Sequence, residues 1–330
     1  MVKRVFVLSL IGIVLVSFLA LTQGKVLHWN LGASPTTLDP SYTTSAASKQ
    51  IDHALFLGLT DIDDETLEVV PRLATAWEVS DDGITWTFHL RRDAMWSDGT
   101  PVTAHDLVFA IERTLDPNGS PDPEGSLPLV QRLYVLKGAE AYNTDVGRAR
   151  DIGVRAIDNR TVRFTLNKPD ACFPVLVSDP VFYPQPRSIV EDYGIDWTKP
   201  EHMVTDGPYT LGQWVRDDHI ILYKSVTYYD AAHVDIDQIY CHMIANDRDA
   251  LDMYEQGKLD VVSVSPEDVE SIKADSVLSS ELHVYPSEPA LIDSDCLLPL
   301  VYPPAQLAKP YVVRTYAQFG CEKWEDWDIH

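Results

Sequence analysis

Cysteine is scarce in this chain, with four in 330 residues, at positions 172, 241, 296 and 321. None forms a C-x-x-C pair, so a redox dithiol or zinc ribbon is not indicated. A chain this long cannot owe its fold to so few thiols, and one bridge or none is expected. Positive charge is also short: 26 Lys and Arg face 50 Asp and Glu, a net charge of −24. A surface of that sign repels phosphate backbones and anionic lipid, which argues against nucleic-acid binding and peripheral membrane binding. Its plainest use is to keep a secreted protein soluble. Beyond residue 24 there is no long apolar run, hence no expected membrane span. The motifs G-x-S-x-G, H-E-x-x-H, Walker A and G-x-G-x-x-G are all missing. The ten histidines are scattered; His233 and His242, nine apart, are the weak exception, and no metal is expected there. The expectation is therefore a protein that is not an enzyme and carries no cofactor.

Residues 1–24 differ from the rest. Lys3-Arg4 is a short basic region, Val5 to Leu21 is almost wholly apolar, and Thr22-Gln23-Gly24 offers small residues where a signal peptidase reads. This pattern predicts a cleaved Sec-type signal rather than a retained anchor, and places the mature chain in the periplasm or outside the cell. No cysteine follows the apolar run, so a lipoprotein is not expected. Export permits disulfides.

Strand and helix signals are mixed without a strict βαβ rhythm, which predicts an α/β or mixed α+β fold. Val26 to Leu31 is strand-like and ends at Gly32. Ile84, Trp86, Phe88 and Leu90 alternate with Thr85, Thr87 and His89 after the turn pair Asp82-Gly83, a half-buried strand. Val162, Phe164 and Leu166 repeat that logic after Asp158-Asn159. Thr103-Ala104-His105-Asp106 has the form of a capping box ahead of the stripe Leu107, Ala110, Ile111. Ser265-Pro266-Glu267-Asp268 predicts a second helix, with proline in its first turn. Pro117 to Pro128 reads as a surface loop.

Aromatics are plentiful, with 15 Tyr, 8 Trp and 9 Phe. Several sit beside turn residues, as in Trp96-Ser97-Asp98-Gly99, Gly207-Pro208-Tyr209 and Val301-Tyr302-Pro303. Such residues either line a ligand cleft or seal the edge of a core. Sealing is the commoner role.

The run Leu73-Ala74-Thr75-Ala76-Trp77, followed by the unbroken stretch from Ile84 to Asp106, resembles the signature of family 5 extracellular solute-binding proteins, most closely their oligopeptide receptors. The segments Asp151 to Asp158, Asp206 to Leu211 and Tyr254 to Asp260 agree in order. The resemblance implies a type II periplasmic-binding-protein fold in which one lobe carries a large inserted subdomain. That division gives a signal at 1–24, a first lobe from 25–49 with 201–330, and the insertion at 50–200. It further implies an oligopeptide ligand held by strand-like main-chain pairing along Thr44, Ser45 and Ala46, with Tyr254 on the lobe floor and Tyr302 as a further ligand-binding residue. The implied partners are ABC permease subunits of the inner membrane, and the protein is expected to be a monomer.

Two departures stand out. A family cleft tyrosine falls on Asp122. After Tyr285-Pro286 the family's second lobe, with its helix and amine-capturing acid, has no counterpart. Lys309-Pro310-Tyr311-Val312 instead resembles the family's C-terminal return to the first lobe, so a whole lobe of roughly 100–200 residues is missing. The expected function is a solute-binding component of an ABC importer, weakened by that loss. The alternative is a single-lobe interaction protein or an inactive deletion derivative. Relatives of this architecture carry dipeptides, oligopeptides, nickel or oligosaccharides, and the first lobe favours peptide.

Overall fold

A computed structural model describes residues 24–63, 66, 68–119, 127–284, 305–313 and 328–329. Its strands are β1 (Val26–Asn30), β2 (Thr60–Ile62), β3 (Val69–Pro71), β4 (Ala74–Val79), β5 (Thr85–Leu90), β6 (Val154–Asp158), β7 (Thr161–Thr165), β8 (Tyr209–Val215), β9 (His219–Lys224), β10 (Gln238–His242), β11 (Val261–Val264), β12 (Leu282–Val284), β13 (Ala305–Ala308), β14 (Val312–Val313) and β15 (Asp328–Ile329). Its α-helices are α1 (Ala46–Leu55), α2 (Ala104–Thr114), α3 (Leu127–Val130), α4 (Ala139–Asn143), α5 (Phe173–Leu176), α6 (Arg187–Tyr193), α7 (Asp247–Glu255) and α8 (Val269–Ala274). None of the described helices is long and apolar enough to cross a membrane. The apolar stretch at 1–23 lies outside the described residues.

The larger sheet has seven strands in the order β12-β13-β11-β1-β10-β9-β8. At its centre β1 runs parallel to both β10 and β11, and the flanking pairs are antiparallel. Alternation along β1 explains the placement: Leu27 and Trp29 are buried, while Val26, His28 and Asn30 face the other side half-buried. The strand expected from the run Leu298 to Val312 is present as β13, inserted between β11 and β12 with Ala305 and Leu307 fully buried. A second sheet, β4-β5-β7-β6, is antiparallel throughout. It is closed by the predicted turns, and Gly83 takes φ +69° there. Phe88 and Phe164 from β5 and β7 pack edge to face on each other, and both meet Phe173. One large apolar cluster runs from Leu27 in the seven-stranded sheet to Phe88 and Phe182. A second, smaller one joins Tyr254, Val262, Ile272 and Leu307 under α7 and α8.

The capping box at Thr103 forms as expected: the Thr103 N–H donates to Asp106 Oδ2 at 2.7 Å, and α2 follows. The other helix prediction shifts. α8 begins at Val269, because Ser265 Oγ donates to Asp268 Oδ2 at 2.8 Å and the Asp268 N–H to the Ser265 carbonyl, closing a separate turn over Pro266. Trp96 and Tyr209 are buried, which makes these turn aromatics core seals. Cys241 is a buried free thiol and Cys172 is disulfide-bonded; Cys296 and Cys321 lie outside the described residues.

Candidate ligand-binding face

Three parallel strands end at one edge of the large sheet, β1 at Asn30, β10 at His242 and β11 at Val264. In open α/β sheets the crevice beyond such carboxyl ends is where ligands bind. Each strand feeds a connection to a helix: β1 to α1, β10 to α7, β11 to α8. Asn30 braces the edge, since its Oδ1 accepts from the Gly32 and Ile244 N–H groups at 3.1 and 3.0 Å and its Nδ2 donates to the Ile244 carbonyl at 3.1 Å. Asn246 caps α7 by accepting from the N–H groups of Arg248 and Asp249. The N-termini of α1 and α7 are thus capped by the short side chains of Ser45 and Asn246, and backbone N–H groups at such helix starts favour an anionic group.

The long connection from β1 to α1 would be floppy without an internal anchor, and Asp39 supplies it. Its Oδ1 accepts from the Ser41 N–H at 3.1 Å and from Arg113 at 3.0 Å. Its Oδ2 accepts from Arg113 at 2.6 Å and from Trp197 Nε1 at 2.9 Å. The Arg113 fork comes from α2 and also donates to Gln185. This bidentate, nearly buried pair therefore ties the connection to the elements around the small sheet. Burial would push the Arg113 guanidinium down, and Asp39 outweighs it and holds the group above its ordinary value.

Among the expected site residues, Thr44 and Ala46 are exposed and Ser45 is half-buried, at the end of the connection that leaves β1. They form no strand. Ser45 is the N-cap of α1, accepting from the Ser48 N–H at 3.1 Å, and Ala46 is the first helical residue. Ser45 keeps an extended backbone, φ −75° and ψ 150°, as an N-cap residue does. Tyr254 is fully buried in the second core cluster. Its hydroxyl donates to Glu281 Oε2 at 2.7 Å, and Lys309 Nζ sits 3.8 Å from its ring centroid. Tyr302 and Asp122 lie outside the described residues. Thr44 to Ala46 form one continuous segment, and Tyr254 sits on a different element beneath the surface.

Sequence reasoning missed Asn30, Asp39 and Asp206. The Asp206-Gly207-Pro208 run was visible, but its role was not. Asp206 is 2% exposed; its Oδ1 accepts from the Leu57 N–H at 3.2 Å, and its Oδ2 has no protein partner. Burial pushes this carboxyl well above the usual carboxylate range. Gly207 is required, since a Cβ there would stand 2.6 Å from the Leu55 carbonyl carbon.

Histidines do cluster on the half-buried face of the sheet. His28 Nδ1 lies 3.2 Å from His242 Nε2, and Tyr240 stacks on His28 and His219. Burial, then His28 and His219, push His242 down to about 4. His233 is elsewhere, hydrogen-bonded to Asp230 in an exposed turn. Among the described residues no three His, Cys, Asp or Glu side chains are placed to hold a metal.

Residues 68–291 match the family model of bacterial extracellular solute-binding proteins, family 5 Middle. The chain belongs to that family. It is 34% identical over 272 residues to the periplasmic oligopeptide-binding protein OppA of Escherichia coli, a match covering 81% of this chain and 48% of OppA. It is 34% identical over 249 residues to the dipeptide-binding protein DppE of Bacillus subtilis, covering 75% and 45%. A probable deoxycholate-binding periplasmic protein of E. coli, YgiS, is 32% identical over 266 residues, covering 81% and 48%. Among solved structures, Burkholderia pseudomallei OppA superposes with a TM-score of 0.72 at 34% identity, covering 79% of this chain and 50% of that one. Haemophilus influenzae OppA in complex with RPPGFSPFR gives 0.72 at 28% identity, with the same coverage. This family member thus spans about half the length of its curated relatives. The described residues form a single type II lobe with its inserted elements, and no second ligand lobe is present among them.

Proposed function

We propose that this chain is the solute-recognition component of an ABC importer, exported to the periplasm or cell exterior as a monomer, and that it takes peptides at the carboxyl edge of β1, β10 and β11. One observation carries the reading: the Thr44 to Ala46 segment, anchored through Asp39 and capped by Ser45, belongs to the connection that leaves the carboxyl end of β1. In this proposal the lobe comprises 25–49 with 201–330 and the insertion comprises 50–200. The first contains every strand of the seven-stranded sheet, and the second contains the four-stranded one. Tyr254 supports the floor from below through Glu281, and Tyr302 is proposed as a further ligand-binding residue. The permease subunits of the importer are the membrane partners.

Peptide bound here is covered on one side only. A clamp with two lobes excludes water and strengthens each polar contact, and loss of one buried charge partner costs about 2–5 kcal/mol, or roughly 30- to 4000-fold in affinity. Calorimetry with tri- to pentapeptides on the chain lacking residues 1–24 is expected to give dissociation constants in the high micromolar range or weaker. Sub-micromolar binding by the isolated monomer would overturn the argument that both faces are needed. Deoxycholate belongs in the same titration, because the relative carrying that name is almost as similar as the peptide receptors. Saturable deoxycholate binding without peptide binding would replace the proposed ligand class.

A further inference from the structure

A cavity of about 350 Å³ opens at the far side of the same sheet edge, between the β1 to α1 connection, the 195–200 segment and the end of β8. It is lined by Asp39 and Tyr42, on the connection that leads to the Thr44 to Ala46 segment, and by Trp214 and Arg216 at the end of β8. Three cations and two carboxylates line it. Arg113 is spent on Asp39, and Lys199 Nζ is paired with Asp196 at 3.0 Å. Arg216 meets no carboxylate among the described residues. Its two terminal nitrogens reach only the Thr36 carbonyl, at 3.4 and 3.3 Å, and its Cζ sits 4.6 Å from the Trp214 ring centroid. Trp214 Nε1 is buried and has no protein acceptor.

A buried N–H without an acceptor is destabilising, and a guanidinium stacked on the same indole presents its fork ready for a planar anion. We infer that this cavity is a binding site for a small carboxylate-bearing molecule, whose anionic group accepts from Trp214 Nε1 and from the Arg216 guanidinium. The volume lies at the low end of ligand pockets, which suits a small acid and is too small for an extended peptide. One cation in excess gives this spot a local sign opposite to the chain's net charge of −24.

Succinate is the probe and succinamide its neutral control. The readout is the indole N–H signal of Trp214 in a nitrogen-labelled NMR spectrum, assigned with W214F, alongside calorimetry. Succinate is expected to shift that signal saturably with a millimolar or tighter dissociation constant, while succinamide leaves it in place. W214F, which keeps a ring beneath Arg216, and R216Q should each weaken succinate at least tenfold with unchanged melting temperature. R248Q removes an exposed cation from α7 and should bind like the parent. The inference falls if succinate fails to shift the signal, if W214F and R216Q bind as the parent does, or if R248Q weakens binding as much as R216Q. A pentapeptide with a free carboxyl terminus and its amidated form complete the set. A shift from the free form alone, with none from succinate, would assign the cavity to peptide termini and overturn the small-acid reading. Failure of peptide binding at Thr44 to Ala46 leaves every one of these outcomes unaffected.

Discussion

Replacing Asp206 by asparagine should stabilise this protein at neutral pH and flatten the dependence of its stability on pH. The carboxyl is buried with one accepted hydrogen bond, from the Leu57 N–H, and nothing on Oδ2. Burial raises it first, and the nearby Asp106 carboxylate raises it further. An unfolded aspartate titrates near 3.9. A folded value above that means the native state holds a proton which the unfolded chain has released. Stability from this group is thus complete below about pH 4 and is lost as pH rises toward the folded value. Each pH unit crossed costs about 1.4 kcal/mol, so a carboxyl still protonated in the fold at pH 7 has forfeited about 4 kcal/mol, the ceiling of the effect. Asparagine keeps an oxygen for Leu57 and has no proton to lose, so it should recover on the order of 1–4 kcal/mol at pH 7 and nearly nothing at pH 4. Urea unfolding followed by circular dichroism from pH 4 to 8 measures this, and taking the difference between parent and D206N cancels every other titration. Equal stability of the two proteins at pH 7, with parallel pH profiles, would refute the reasoning.

Further substitutions probe other parts of the frame. R113M strands the buried Asp39 carboxylate and should cost about 3–5 kcal/mol in urea unfolding; R113K should recover little, because an ammonium cannot make the paired contact. L307A should cost about 2–5 kcal/mol by the same measurement, since this side chain on the returning strand is fully buried. G207A, which would place a methyl carbon against the end of α1, should lower the melting temperature or abolish soluble expression. A melting curve like the parent's would show that the close approach is not needed.

Much of the fold could be read in advance where a pattern is local. The alternation at Trp86, Phe88 and Leu90, the Asp82-Gly83 turn and the Thr103 to Asp106 box each involve residues within a few positions of one another, and each formed as expected. The site was less legible. Ser45 caps a helix because of an amide three residues on, yet the same residues fitted an extended edge when α1 could not be located. Tyr254 invites a ligand role by its family position, and only the tertiary partners Glu281 and Lys309 show that its hydroxyl and ring are already occupied. Asp39 and Arg113 are 74 residues apart, and nothing in either neighbourhood announces the pair. Long-range polar contacts of this kind depend on the assembled fold and leave no periodic mark.

The central place of β1 has a consequence for the timing of synthesis. The bonds that complete its surroundings reach forward 212 residues from Lys25 to Asp237 and 232 from His28 to Asp260. At about 5–20 residues per second, a ribosome needs roughly 10–40 s to make the stretch between the first pair. Throughout that interval Leu27 and Trp29 have neither neighbour strand, and the sheet cannot close from its amino-terminal side. Contacts of such separation are slow to form even in the finished chain. The nascent protein is therefore held open by its own topology. The exposed apolar face of β1 is then a natural point of hold for a chaperone.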